Sequence, residues 1–171
     1  MSFEYGKVFR CAVNDSDAYR LTVLRYKTPN GSKSIPYINI RVLYKNKDGE
    51  EKSSKQGICL TYDEFRDYFG QIEFLLSKGK NQFQHQVYGD VRRHRRFNVT
   101  FDTLNFSMTL FKKNGTIQAI MGPTSALRAI LEKKEEIIRE AEETLISDVG
   151  GQVKFDEKDE MDFTLDNQIQ M

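Results

Sequence analysis

Side chains that can hold an anion or lie flat against a ring are gathered at a few places in this 171-residue chain. Arg41, Tyr44, Lys45, Lys47, Lys52 and Lys55 flank one turn, and Tyr37 stands four residues before Arg41. The densest basic run is VRRHRRF, with Arg92, Arg93, Arg95 and Arg96 around His94. Lys112 and Lys113 precede Asn114-Gly115 in the same way that Lys45 and Lys47 surround their own turn. Cations track phosphates, and aromatic rings stack on bases for ~1–3 kcal/mol per base. Arginines packed this closely repel one another unless an anion is near. The chemistry these residues can do is therefore to hold a polyanion that carries flat bases. Each also has a plainer use: Arg41 as a surface arginine, Tyr44 in the core, the lysines as a solvated turn. The arginine run also fits a linker, a nuclear-localisation signal or an RNA contact.

Catalysis has little to build on. The only histidines are His85 and His94, and no nucleophile elbow, P-loop or zinc-protease motif occurs. Asp63-Glu64 and the Asp156–Glu160 stretch are explained by a helix start and an acidic tail. Cys11 and Cys59 are too few and too far apart for a disulfide framework or a metal site, and read as two buried thiols. The expectation is a non-enzyme with no cofactor and no metal. No apolar run approaches the ~20 residues of a membrane span, and the first residues lack the apolar core of a signal peptide.

The elements that must position these residues follow from pattern. Lys7–Val13, Tyr19–Lys27, Tyr37–Lys45 and Gln56–Leu60 read as strands, with turn chemistry at Thr28–Ser32 and Asn46–Gly49. In the third, Tyr37 and Arg41 share one face, and Tyr44 falls on the other unless a bulge re-aims it. Phe65, Phe69, Ile72 and Leu76 then recur at helical spacing, with Thr61 or Asp63 as cap and Gly79 beyond the end. Gln84–Tyr88, Arg96–Asp102, Phe106–Lys112 and Thr116–Met121 repeat the strand pattern, and Asn114-Gly115 marks a hairpin. A second helix follows Pro123, with Leu127, Ile130, Leu131, Ile138, Ala141 and Leu145 as its stripe. Phe97, Phe101, Phe106 and Phe111 are candidates for the core. The class is α+β: two β-β-β-β-α modules, 1–80 and 81–146, with their helices packed on each other. Residues 147–171 form an acidic tail expected to be disordered.

Net charge is +1, but it is unevenly placed. From Ser147 onward seven acids face two lysines, leaving the rest of the chain at +6. A basic body with an acidic tail is a nucleic-acid pattern in which the tail competes for the groove or recruits partners. A merely solubilising tail has the same composition.

The segment Ile38, Ile40, Arg41, Tyr44, Gly49, Glu50, Lys52, Lys55, Gly57, Ile58 and Leu60 resembles, in order and spacing, the transcriptional positive cofactor four family. Those proteins are single-stranded-DNA-binding coactivators with a β-β-β-β-α fold. The resemblance implies DNA contacts at Arg41, at Tyr44 in place of a stacking Trp, at Lys52 and at Lys55. Gln56 stands where the family has a second basic residue, which removes one phosphate contact. Family members pair their units as dimers, and a chain with two modules supplies that pair by itself, as in the duplicated architecture of plant Whirly proteins. The resulting expectation is a single-stranded DNA-binding protein of replication, recombination or transcription, located in the cytoplasm or nucleus. It would work as a monomeric pseudo-dimer or a homo-oligomer, with partner proteins docking on the tail. An RNA- or duplex-binding regulator, or a virion structural protein, is the alternative.

Overall fold

The structure is a computed structural model that describes residues 2–14, 17–77, 83–90, 95–112 and 114–146, with side chains described except at 83–90, 145 and 146. Its order is β1 (Ser2–Ala12), β2 (Ala18–Lys27), β3 (Tyr37–Lys45), β4 (Glu51–Thr61), α1 (Tyr62–Ser77), β5 (Phe83–Asp90), β6 (Arg95–Phe101), β7 (Asn105–Phe111), β8 (Ile117–Pro123) and α2 (Thr124–Ile146). The β-β-β-β-α order is thus traversed twice. The expected tail and Gly79 lie outside the described residues. β1 begins earlier than the pattern predicts and β4 begins at Glu51 rather than Gln56. The polar run 51–56 lacks an apolar alternation because it pairs with the solvent-exposed end of β3 and buries nothing.

All strands join one antiparallel sheet, ordered β1-β2-β3-β4-β8-β7-β6-β5. The two halves meet edge to edge at a single Cα pair, Gly57 with Ala119. Two glutamines extend this seam. Gln118 Oε1 accepts from Cys59 N at 2.9 Å, and Gln56 Oε1 accepts from Met121 N at 3.3 Å. Gln56 therefore spans the seam from the position where the resemblance led us to look for a second cation.

Alternation gives the sheet a helix face and a far face. Leu21, Val23, Ile38, Ile40, Ile58, Leu60, Phe97, Val99, Met108, Leu110 and Ile120 lie on the helix face in one core with Phe65, Phe69, Ile72, Leu127, Ile130 and Ile137. Flat, β2 and β7 would stand four strand spacings apart, about 19 Å. Yet Tyr19 and Phe106 have ring centroids 6.3 Å apart, and Tyr19 Oη donates to Met121 O at 3.3 Å. The sheet curls around this core.

α1 starts with a reciprocal cap: Thr61 N donates to Glu64 Oε1 at 2.8 Å and Glu64 N to Thr61 Oγ1 at 3.2 Å. The helices run antiparallel, tied by Tyr62 Oη to Glu142 at 2.7 Å near one end and Lys134 to Glu73 at 3.0 Å near the other. Among the described residues no helix is long and apolar enough to cross a membrane.

Candidate nucleic-acid interface

The far face of the first half carries a row that sequence reading did not find. Arg10 on β1 pairs with Arg20 on β2, Arg20 with Arg41 on β3, and Arg41 with Gly57 on β4. Three arginines thus stand side by side on one line across three strands. Like charges directly opposite one another destabilise a sheet, and an anion beside the row offsets that repulsion. One is built in: Arg10 grips Glu51 with two bonds, Nη2 to Oε2 at 2.7 Å and Nε to Oε1 at 3.1 Å. The Arg10 hydrogen bonds hold the Glu51 carboxyl below the usual carboxylate range, and Lys45 and Arg20 add to the effect. A guanidinium fork fits a phosphate as it fits a carboxylate.

Gly57 has a specific reason to be glycine. A Cβ there would lie 2.9 Å from the Arg41 guanidinium carbon and Nε, so the absent side chain is the space Arg41 occupies. Arg41 is fully buried and its Nη1 donates to Ser54 O at 3.1 Å. It is the inner end of the row, whereas Arg10 is exposed and Arg20 half-buried.

The predicted site residues divide. Lys45, opposite Glu51, shares the far face with the arginine row and is exposed. Lys47, Lys52 and Lys55 are exposed around the turn, with Lys52 Nζ 3.9 Å from Glu50. Tyr44 is 43% exposed and pairs with Lys52. By alternation this pair lies on the side opposite Arg41. The register shift between Arg41 and Leu43 is accommodated on β4, through the extra residues between Ser53 and Gly57, and leaves the alternation of β3 intact. The hairpin is therefore not a single platform.

Tyr37 does not project as an open stacking ring. It is buried in a small far-face cluster with Leu24, Tyr26 and Cys59, against which Phe3 and Ile35 pack. Arg95 is corrected too: alternation turns it to the helix face. There its Nε meets Glu64 Oε2 at 2.8 Å and its Nη2 donates to Cys59 O at 2.8 Å, fully buried. It braces the α1 cap against β4. Lys112 lies one step beyond Leu110 on the same side and is buried, so it is no counterpart of the exposed hairpin lysines. Arg96 is exposed, with its guanidinium 4.5 Å from the centroid of the Phe111 ring. Arg92, Arg93 and Lys113 lie outside the described residues.

Arg10 and Arg20 were missed because neither sits in a basic cluster. The signal was present in the turn: pairing Ala12 with Ala18 across Asn14–Asp17 places residue 10 opposite residue 20.

Residues 13–67 match the family described as Transcriptional Coactivator p15 (PC4). This is about a third of the chain and covers β2, β3, β4 and the first turn of α1, including Arg20 and Arg41 but not Arg10. The chain is similar to that family over this segment. A search of curated proteins gives no match.

Proposed function

We propose that this protein binds single-stranded nucleic acid, with DNA preferred, through the far face of its sheet, and acts by binding rather than by catalysis. The observation that carries this reading is the arginine row aligned by register: Arg10 and Arg20 are accessible, Arg10 already holds one carboxylate in a phosphate-like grip, and Arg41, too buried to touch a strand directly, adds positive charge beneath them. Lys45 and the exposed turn lysines extend the positive field from one end of it. The likeness of residues 13–67 to a transcriptional coactivator family supports a role at transcription in the nucleus, with replication and recombination as the wider setting. Two halves in one chain supply the paired units for which the family resemblance implies a dimer, so one copy suffices. The acidic segment 147–171 competes with nucleic acid for the arginines or recruits partner proteins.

The test is competition among oligo-dT, oligo-U and duplex DNA, followed by anisotropy across a salt series. Oligo-dT should win, and log K should fall linearly with log salt at about −0.7 per phosphate neutralised. Replacing Arg10 and Arg20 by Ala should flatten that slope by about 1.4. Preference for duplex, or binding indifferent to salt, rejects the reading. Removing 147–171 should tighten oligo-dT binding; unchanged or weaker binding rejects masking and leaves the docking role.

A further inference from the structure

The far face continues beyond the seam. Opposite Gly57 the arginine row runs on through Ala119, Thr109 and Asn98, none of them charged. The neighbouring row is different: Arg96 on β6 pairs with Phe111 on β7, and Phe111 with Ile117 on β8. The Arg96 guanidinium lies over the Phe111 ring, and Ile117 beside it is 59% exposed. Asn98 Oδ1, beside Arg96 on the same face, is buried and has no hydrogen-bond partner among the described residues. These residues lie outside the segment matched by the family, so the family likeness does not bear on them.

We propose that Arg96, Phe111 and Ile117 form a base-stacking platform. On it lie unpaired nucleobases of the same strand whose phosphates the arginine row holds. This rests on the single-strand binding proposed above. Three features select a polynucleotide as the occupant over a protein partner. The platform is continuous with the arginine row on one sheet face. Adjacent rows on that face are only about 7 Å apart, so a chain on one row brings its bases over the next. The platform also pairs a ring with a cation, the combination that holds bases without regard to sequence. The first half would then hold backbone and the second half bases.

The chain contains no tryptophan, so Phe111→Trp introduces the sole indole at the platform. Its emission should fall by roughly half on saturation with oligo-dT, as expected for a stacked base. It should stay unchanged with an abasic oligonucleotide of equal length, which keeps the phosphates. Phe111→Leu should weaken oligo-dT binding by roughly fivefold to a hundredfold, while leaving abasic binding and the salt slope as in the parent. If the parent binds oligo-dT but the indole is silent, or Phe111→Leu binds both ligands like the parent, the platform is wrong. If the indole variant misfolds, the leucine variant decides alone. If the parent binds neither ligand, the single-strand reading itself fails and the platform falls with it.

Discussion

The two halves of the sheet use the same devices to fold and different residues on the face they share. Gln56 and Gln118 span the seam in mirrored bonds, one to Met121 N and the other to Cys59 N. The turn after β3 closes with Asn46 N to Glu50 O and Gly49 N to Asn46 O; the turn after β7 closes with Lys112 N to Thr116 O and Gly115 N to Lys112 O. Gly49 and Gly115 both take positive φ, 80° and 85°. Each helix begins by donating to the residue before its third strand, Tyr62 N to Pro36 O and Thr124 N to Leu104 O. On the far-face row, however, Arg20 and Arg41 correspond to Asn98 and Thr109. Backbone closure restricts residue type at seam and turn, whereas the far-face row leaves it free to diverge. The largest predicted effect follows from that difference. Arg10→Glu with Arg20→Glu should lower oligo-dT affinity roughly a hundredfold at low salt, about 2.7 kcal/mol, with the fold intact by circular dichroism. An equal loss from Asn98→Glu with Thr109→Glu would show that both halves contribute charge alike.

A second contrast is in what titrates. Burial pushes the thiols of Cys11 and Cys59 up to about 11 and about 12, and the Tyr19 phenol up to about 12. All three belong to the first half. Phe97 and Met121, which cannot ionise, occupy the positions corresponding to Tyr19 and Cys59. A group whose pKa is raised on folding gives stability that is complete below its unfolded value and is lost as pH rises through its folded value. The urea midpoint should therefore hold steady to about pH 9, the ordinary thiol value, and fall between there and pH 12. In Cys11→Ala with Cys59→Ala the neutral midpoint should be lower but the alkaline fall shallower. An alkaline fall as steep as in the parent would place the sensitivity elsewhere.

Much of the fold was legible because apolar alternation, Gly-containing turns and the Phe65–Ile72 stripe are local signals. The seam was not, since one backbone pair and two glutamines leave no periodic trace. The site was legible where cations cluster, and clustering proved an incomplete guide. Arg95 and Lys112 look like members of basic groups, but strand alternation turns both toward the helices, where Arg95 satisfies Glu64. Phe111 looks like core beside Phe97, Phe101 and Phe106; its position in β7 puts it on the other side, under Arg96. Arg10 and Arg20 are isolated in sequence and become neighbours only through register. One-residue parity decides such cases, and composition carries no parity.

The seam offers a smaller test of how alike the halves are. Gln118 is buried, whereas Gln56 is exposed. Gln118→Ala leaves the Cys59 N–H without its partner inside the protein, which should cost about 1–3 kcal/mol. Gln56→Ala leaves Met121 N–H near water and should cost about 1 kcal/mol or less. Denaturant unfolding of the two variants and their combination measures this. Equal costs would mean the geometric mirror is also an energetic one.

The smallest effect comes from making the second half resemble the first. Asn98→Arg with Thr109→Arg would continue the arginine row across the seam, through positions that register already aligns with Arg41 by way of Gly57 and Ala119. If phosphates follow this line, each added guanidinium releases further counterion, so the salt slope should steepen by up to about 1.4. Low-salt affinity for a long oligo-dT should rise roughly three- to tenfold, and a short one that covers only the first half should gain nothing. The gain should be modest because Arg96 already stands beside residue 98 and like charges offset part of it. A gain equal for short and long oligonucleotides would mean that the added charge acts as a diffuse field, and that the strand does not run across the seam.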